Sequence, residues 1–122
     1  MKVLIVEDEV LIAMYLEALV VGFGHQVCAV AASASEAIEN AAVHAPHVAL
    51  MDIRLGGGTS GIDAAHEIYL RHGLRCIFLS GNLDNKTRRA IDHCKPIDFV
   101  DKPILPVTLR RALQTAERLI AS

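Results

Sequence analysis

The sequence predicts an α/β domain built on a doubly wound, five-stranded parallel sheet, strand order 2-1-3-4-5, with five helices. Two observations point there. Short runs rich in Val and Ile alternate with longer helical patterns five times in 122 residues. The short runs are continuously apolar, as in strands buried on both faces. Right-handed crossovers leave few arrangements for such a chain, and 2-1-3-4-5 suits five strands.

The elements follow in order. Residues 3–6 form a first strand, and residues 9–21 a helix ending at Gly22 and Gly24, which suit a helix C-terminus. Residues 26–31 form the second strand. Ser33 or Ser35 caps the next helix, which runs to His44, and Ser33 with Glu36 has capping-box spacing. Pro46 closes that connection. Residues 47–51 form the third strand, ending at Asp52. A glycine-rich loop, residues 56–61, leads to a helix over residues 62–72 that Gly73 stops. Residues 75–79 form the fourth strand, followed by Ser80 and Gly81. Residues 83–93 form a helix with a weak apolar stripe. Residues 97–100 form the fifth strand, left by Asp101, Lys102 and Pro103. The last helix covers residues 104–120, with Pro106 tolerated in its first turn.

Composition narrows the function. The chain is 52% apolar and 21% charged, which fits one globular domain over residues 1–122 and excludes disordered and fibrous classes. A net charge of −2 provides no field for nucleic acid or anionic membrane. Aromatic residues make up 4%, too few for a base-stacking surface. Cys28, Cys76 and Cys94 lack metal-type spacing and read as reduced, buried thiols. The histidines are scattered; His66 and His72 read as helix-surface residues, and His44 and His47 flank a turn at Pro46. The longest apolar stretch, residues 10–21, is interrupted by Glu17 and is shorter than the ~20 residues that span a bilayer. No targeting segment is visible, and a cytoplasmic location is expected.

Ligands of open parallel sheets bind beyond the carboxyl ends of the strands. There this sequence places Glu7 and Asp8 after the first strand, Asp52 after the third, Ser80 after the fourth and Lys102 after the fifth. Crowded carboxylates raise one another's pKa unless a cation relieves them. Mg²⁺ suits a few carboxylate oxygens and keeps several waters. With Mg²⁺ and Lys102 the edge becomes electropositive enough to receive a phosphoryl group, and phosphoryl transfer is mostly positioning and charge neutralisation. Asp52 is then the nucleophile that forms an aspartyl phosphate. Asp8 binds Mg²⁺ directly, and Glu7 directly or through water. Lys102 and the Ser80 hydroxyl hold phosphoryl oxygens. Plainer roles exist for each: Lys102 as a solvated strand-end lysine, and Ser80 as a helix cap in competition with Asp84. Glu9 reads as a helix N-terminal charge and is left out of the site.

The set Ile5-Val6-Glu7-Asp8-Glu9, Met51-Asp52, Leu79-Ser80-Gly81 and Lys102-Pro103 resembles the receiver domain of bacterial two-component response regulators. Each motif alone is weak; all four in order, each at a strand end, are strong. The resemblance covers essentially the whole chain and implies a flavodoxin-like fold. It implies that Asp52 accepts phosphate from a phosphohistidine on a sensor histidine kinase or histidine phosphotransfer protein. It implies that the backbone carbonyl of Arg54 completes the Mg²⁺ shell, and that Ser80 and Phe99 form a switch. In that switch Ser80 moves toward the phosphate and Phe99, otherwise a core residue, turns inward. The chain departs from the family at Gly56, where Pro is common, in a loop to Gly61 one residue longer and expected to be more mobile, and at Arg54. Phe99 has no hydroxyl, so packing alone drives its rotation.

Two surfaces suggest partners. Ile12, Leu16 and Leu19 face the sheet, while Val10, Met14 and Val21 fall elsewhere on the same helix. They form either a wide core stripe or a docking patch for the phosphodonor. Lys86, Arg88 and Arg89 lie with Arg110 and Arg111 on the face of helix four, strand five and helix five. In receivers that face carries the signal to a partner or a second copy. The expectation is a stand-alone, chemotaxis-regulator-like receiver, with no turnover activity beyond its own phosphorylation and dephosphorylation and no direct nucleic-acid or membrane binding. One rival is a receiver excised from a larger DNA-binding regulator. An Asp-nucleophile phosphatase is another, weakened because the first strand delivers Glu7-Asp8-Glu9 and not Asp-x-Asp. A nucleotide-binding module is a third, weakened because the glycine loop lacks a Walker-type Lys-Ser/Thr ending.

Overall fold

The computed structural model describes residues 1–55 and 60–121. Five parallel strands, β1 (Lys2–Val6), β2 (Gln26–Ala31), β3 (Val48–Asp52), β4 (Cys76–Ser80) and β5 (Asp98–Asp101), lie in the order β2-β1-β3-β4-β5. Their connections carry helices α1 (Val10–Gly22), α2 (Ala34–His44), α3 (Gly61–His72), α4 (Asn85–Ile91) with a 3-10 turn at Asp92–Cys94, and α5 (Pro106–Ala121). The predicted class, strand order and five helices are all present.

Strand alternation divides the core. Val3 and Ile5, Val48 and Leu50, and Ile77 and Leu79 point to one face, where Leu16 and Val20 of α1 and Leu109 and Leu113 of α5 cover them. Leu4 and Val6, Ala49 and Met51, and Cys76 and Phe78 point to the other, against Ala37 and Ala41 of α2, Ala64, Ala65 and Ile68 of α3, and Ile91 of α4. Both faces are buried, which is why the strands read as unbroken apolar runs.

Local chemistry sets the helix ends. Ser33 accepts from Glu36 N at 3.2 Å, and Glu36 Oε2 in turn accepts from Ala32 N at 3.1 Å, closing a capping-box arrangement. Gly73 takes the left-handed conformation after α3, with φ 66°. Ala45 takes the same conformation after α2, with φ 47°, so the turn at Pro46 begins one residue earlier.

Several bounds differ from expectation. β3, β4 and β5 each start and end one residue later, because Asp52, Ser80 and Asp101 still belong to the ladder. α4 begins at Asn85, since Asp84 Oδ1 accepts from Thr87 N at 2.7 Å and makes Asp84 the cap. α5 begins at Pro106, a position that needs no amide N–H. Of the histidines, His72 is exposed as expected, whereas His66 is half-buried and bonds Ala90 O at 2.8 Å. Gly56 and residues 57–59, with the expected loop mobility, lie outside the described residues.

Candidate functional site

The carboxyl end of the sheet brings together the residues expected there. Asp8, Asp52, Arg54, Ser80 and Lys102 line one cavity of about 370 Å³. Glu7 lies beneath it, only 1% exposed, and Asp52 is 4% exposed. Glu7, Asp8 and Asp52 each offer an oxygen, all within 4.8 Å of one another. β1 delivers Glu7 and Asp8 just past its end, and Asp52 is the last residue of β3, paired with Leu79 of β4.

A second relationship is new. Lys102 Nζ stands 3.2 Å from Asp52 Oδ1 and 3.3 Å from Glu7 Oε1, so the ammonium bridges two of the three carboxylates. The main chain holds it there, because Lys102 N donates to Ser80 O at 2.9 Å. The Lys102–Pro103 peptide bond is cis.

The electrostatics follow from crowding. Burial pushes the Glu7 carboxyl up to about 7; the hydrogen bond and negative charge of Asp52 add to the rise, while the Glu9 N–H and Lys102 oppose it. For Lys102 burial acts downward, but the hydrogen bonds and charges of Asp52 and Glu7 outweigh it and hold the ammonium above its ordinary pKa. Three converging hard oxygens at this edge suit a small divalent cation of the Mg²⁺ type.

The remaining candidates fall as follows. Arg54 N donates to Asp52 Oδ1 at 3.2 Å, and its exposed side chain stands at the cavity wall. Ser80 Oγ accepts from Asn82 N at 3.2 Å and does not cap α4. Glu9 precedes α1 without capping it, and its N–H donates to Glu7 Oε2 at 3.2 Å. Phe99 is half-buried and stacks on Phe78, with ring centroids 5.9 Å apart.

Three features escaped the sequence reading. Asn82 lines the cavity through its place two residues after Ser80. Ser60 caps α3 by accepting from Ile62 N at 3.1 Å and Asp63 N at 3.4 Å. Gly61 N donates to Ile53 O at 3.0 Å, and a side chain at Gly61 would overlap the Asp52 carbonyl. The Ser-Gly pair before an apolar helix was a readable signal for the last two.

A family model described as the response regulator receiver domain matches residues 3–114. The phyllosphere-induced regulator PhyR of Methylorubrum extorquens is 34% identical over 116 residues, which is 94% of this chain and 43% of that protein. The chain thus spans less than half the length of that curated relative. The signal receiver domain of a modulated diguanylate cyclase from Desulfovibrio desulfuricans matches with a TM-score of 0.89 at 30% identity, covering 98% of this chain and 95% of that one. The anti-anti-sigma factor PhyR of Bartonella quintana matches with a TM-score of 0.80 at 31% identity, covering 97% and 47%.

Proposed function

For a chain that belongs to the response regulator receiver domain family, and is therefore a phospho-accepting signalling domain and not a turnover enzyme, we propose that Asp52 is the phosphoacceptor. The carrying observation is the Asp52 carboxylate itself, nearly buried at the cavity floor, with Oδ1 held by Arg54 N and Lys102 Nζ. That grip orients the carboxylate toward an incoming phosphorus.

A carboxylate oxygen of Asp52 forms the new P–O bond as the P–N bond to the donor's phosphohistidine breaks, and the imidazole leaves with the electron pair and takes a proton from solvent. Lys102 moves its ammonium from the carboxylates to the phosphoryl oxygens. The Ser80 hydroxyl accepts from Asn82 N and is free to donate its own proton to a phosphoryl oxygen. Receiver domains use Mg²⁺, and Glu7, Asp8, Asp52 and the Arg54 carbonyl are the groups that would hold it here. Bound there, it supplies charge neutralisation between carboxylates and phosphoryl group. Ser80 and Phe99 are the switch residues of this reading.

The donor is a sensor histidine kinase or a histidine phosphotransfer protein. It docks on α1, where Val10 and Leu11 are 71% and 80% exposed and Met14 lies one turn on, next to Asp8 and Glu9 at the cavity rim. The output face is α4, β5 and α5, with Lys86, Arg88, Arg89 and Arg111, open to a protein partner or a second copy, whereas Arg110 lies over the Phe23 ring at the end of α1. The likeness to PhyR, one relative of which is described as an anti-anti-sigma factor, favours a partner in sigma-factor regulation. Residues 1–122 act as one receiver unit. Among the described residues no helix is long and apolar enough to cross a membrane, and the reading of the donor as a histidine kinase or phosphotransfer protein supports a cytoplasmic location.

Incubation with Mg²⁺ and a small acyl phosphate tests the assignment by intact mass. The expected result is a gain of one phosphoryl group that Asp52→Asn abolishes. Label retained in the variant overturns it.

A further inference from the structure

We propose that Arg88 of α4 is a positioning residue that clamps Phe99 in its resting place, so that α4 reports the state of Asp52 through this one contact. The inference rests on the reading of Asp52 as phosphoacceptor and adds a residue to it.

The Arg88 guanidinium carbon lies 4.8 Å from the centroid of the Phe99 ring, within cation–π range. Among the described residues the guanidinium makes no ion pair within 4.0 Å, although Asp98 and Asp101 line the same cavity of about 640 Å³ as Arg88 and Phe99. It rests on the Phe99 ring instead. Phe99 therefore touches two groups in opposite surroundings: Phe78, fully buried in β4, and Arg88, exposed on a helix of seven residues.

Register ties this pair to the reacting end of the sheet. Phe78 pairs with Phe99, and two residues on Ser80 pairs with Asp101, next to Lys102. Phe78 and Ser80 share one face of β4, two residues apart. A shift of Ser80 toward a phosphoryl group moves the wall against which Phe99 rests. Phe99 then turns only by leaving Arg88, or by taking Arg88 and α4 with it. Because Phe99 lacks a hydroxyl, no hydrogen bond competes with the clamp. The cavity beside Arg88 also shares Gly81, Asn82 and Lys102 with the Asp52 cavity, so the two adjoin at the β4–α4 loop.

The test uses fluorine NMR of protein carrying 4-fluorophenylalanine at its three phenylalanines, with Phe99 assigned through a Phe99→Tyr variant. Spectra are recorded free and with Mg²⁺ and beryllofluoride, a phosphoryl mimic. Arg88→Gln is expected to move the free-state Phe99 resonance toward its beryllofluoride position, through a roughly two- to five-fold rise in inward rings. Arg88→Lys, which keeps a cation, is expected to restore most of the wild-type position. A free-state Phe99 resonance identical in wild type and Arg88→Gln overturns the clamp. A wild-type spectrum that beryllofluoride leaves unchanged overturns the Asp52 reading instead, and the free-state comparison still decides the Arg88 contact.

Discussion

Lys102 Nζ lies 3.2 Å from Asp52 Oδ1, and so already supplies part of the positive charge that this acidic edge demands. Lysine and a divalent cation are then competitors for the same oxygens. Lys102→Ala should bind Mg²⁺ more tightly at pH 8, by roughly tenfold for one unit charge removed a few ångströms away. The metal-free variant should lose stability, because Glu7 and Asp52 are left without a counter-charge. Titration calorimetry with Mg²⁺ checks the first point, and weaker binding by the variant would contradict the competition.

Glu7 makes the metal-free protein respond to pH. Its carboxyl is held at about 7 in the fold, above the ordinary 4.5 of the unfolded chain. Folding thus favours the protonated form. Its contribution is complete below about 4.5 and lost as pH rises through about 7. Lys102 adds nothing to this window, since its raised pKa acts only above the ordinary lysine range. The metal-free protein should be more stable at pH 5.5 than at pH 8, by roughly 2 kcal/mol from this group. Glu7→Gln should flatten the profile and stabilise the metal-free fold at pH 8. Urea midpoints across that range are the measurement, and a slope that survives the substitution would assign the effect to another group.

Gly61 is required for contact and not for conformation. Its Cβ would run into the Asp52 carbonyl, whereas a Cβ at Gly22 would meet nothing within 4 Å. Gly61→Ala should cost about 1–3 kcal/mol as an overpacked site. It should also weaken Mg²⁺ binding, because the strain falls on the Asp52 backbone. Gly22→Ala should be neutral or stabilising by up to about 1 kcal/mol. Thermal melts of both with and without Mg²⁺ separate the two effects, and equal shifts would refute the contact argument.

What the sequence made legible was whatever repeats along the strand. Buried parallel strands carry continuous apolar runs, and the residue that ends each run necessarily stands at the ligand edge. That logic found Glu7, Asp8, Asp52, Ser80 and Lys102 without any contact being known. It could not find what depends on distance between elements. The Arg88–Phe99 contact joins α4 to β5, and periodicity on either element is silent about it. The bridging of Glu7 and Asp52 by Lys102 was equally hidden, because a strand-end lysine was expected to await the phosphoryl group. Helix starts erred where two caps competed. Asp84 and Ser60 each accept backbone N–H groups, and the apolar residue that opens a pattern is not always the first helical one.

Tyr15 bears on how firmly Lys102 is placed. Its hydroxyl donates to Ile104 O at 3.0 Å, linking α1 to the connection between β5 and α5 two residues beyond Lys102. Ile12, Tyr15, Lys102, Pro103 and Ile104 line one cavity there, and Ile104 is itself buried in the core beside Leu109. Tyr15→Phe removes the hydrogen bond while keeping the ring, and should cost about 0.5–1.5 kcal/mol. Because Lys102 N stays bonded to Ser80 O, the loop should loosen and not relocate. Amide exchange at Ile104 and Leu105 should quicken, and acyl-phosphate labelling of Asp52 should slow several-fold. Mg²⁺ affinity should rise far less than in Lys102→Ala, since the ammonium remains on Asp52 and Glu7. Unchanged exchange together with unchanged labelling would mean that the Ser80 bond and the carboxylate pair hold Lys102 on their own.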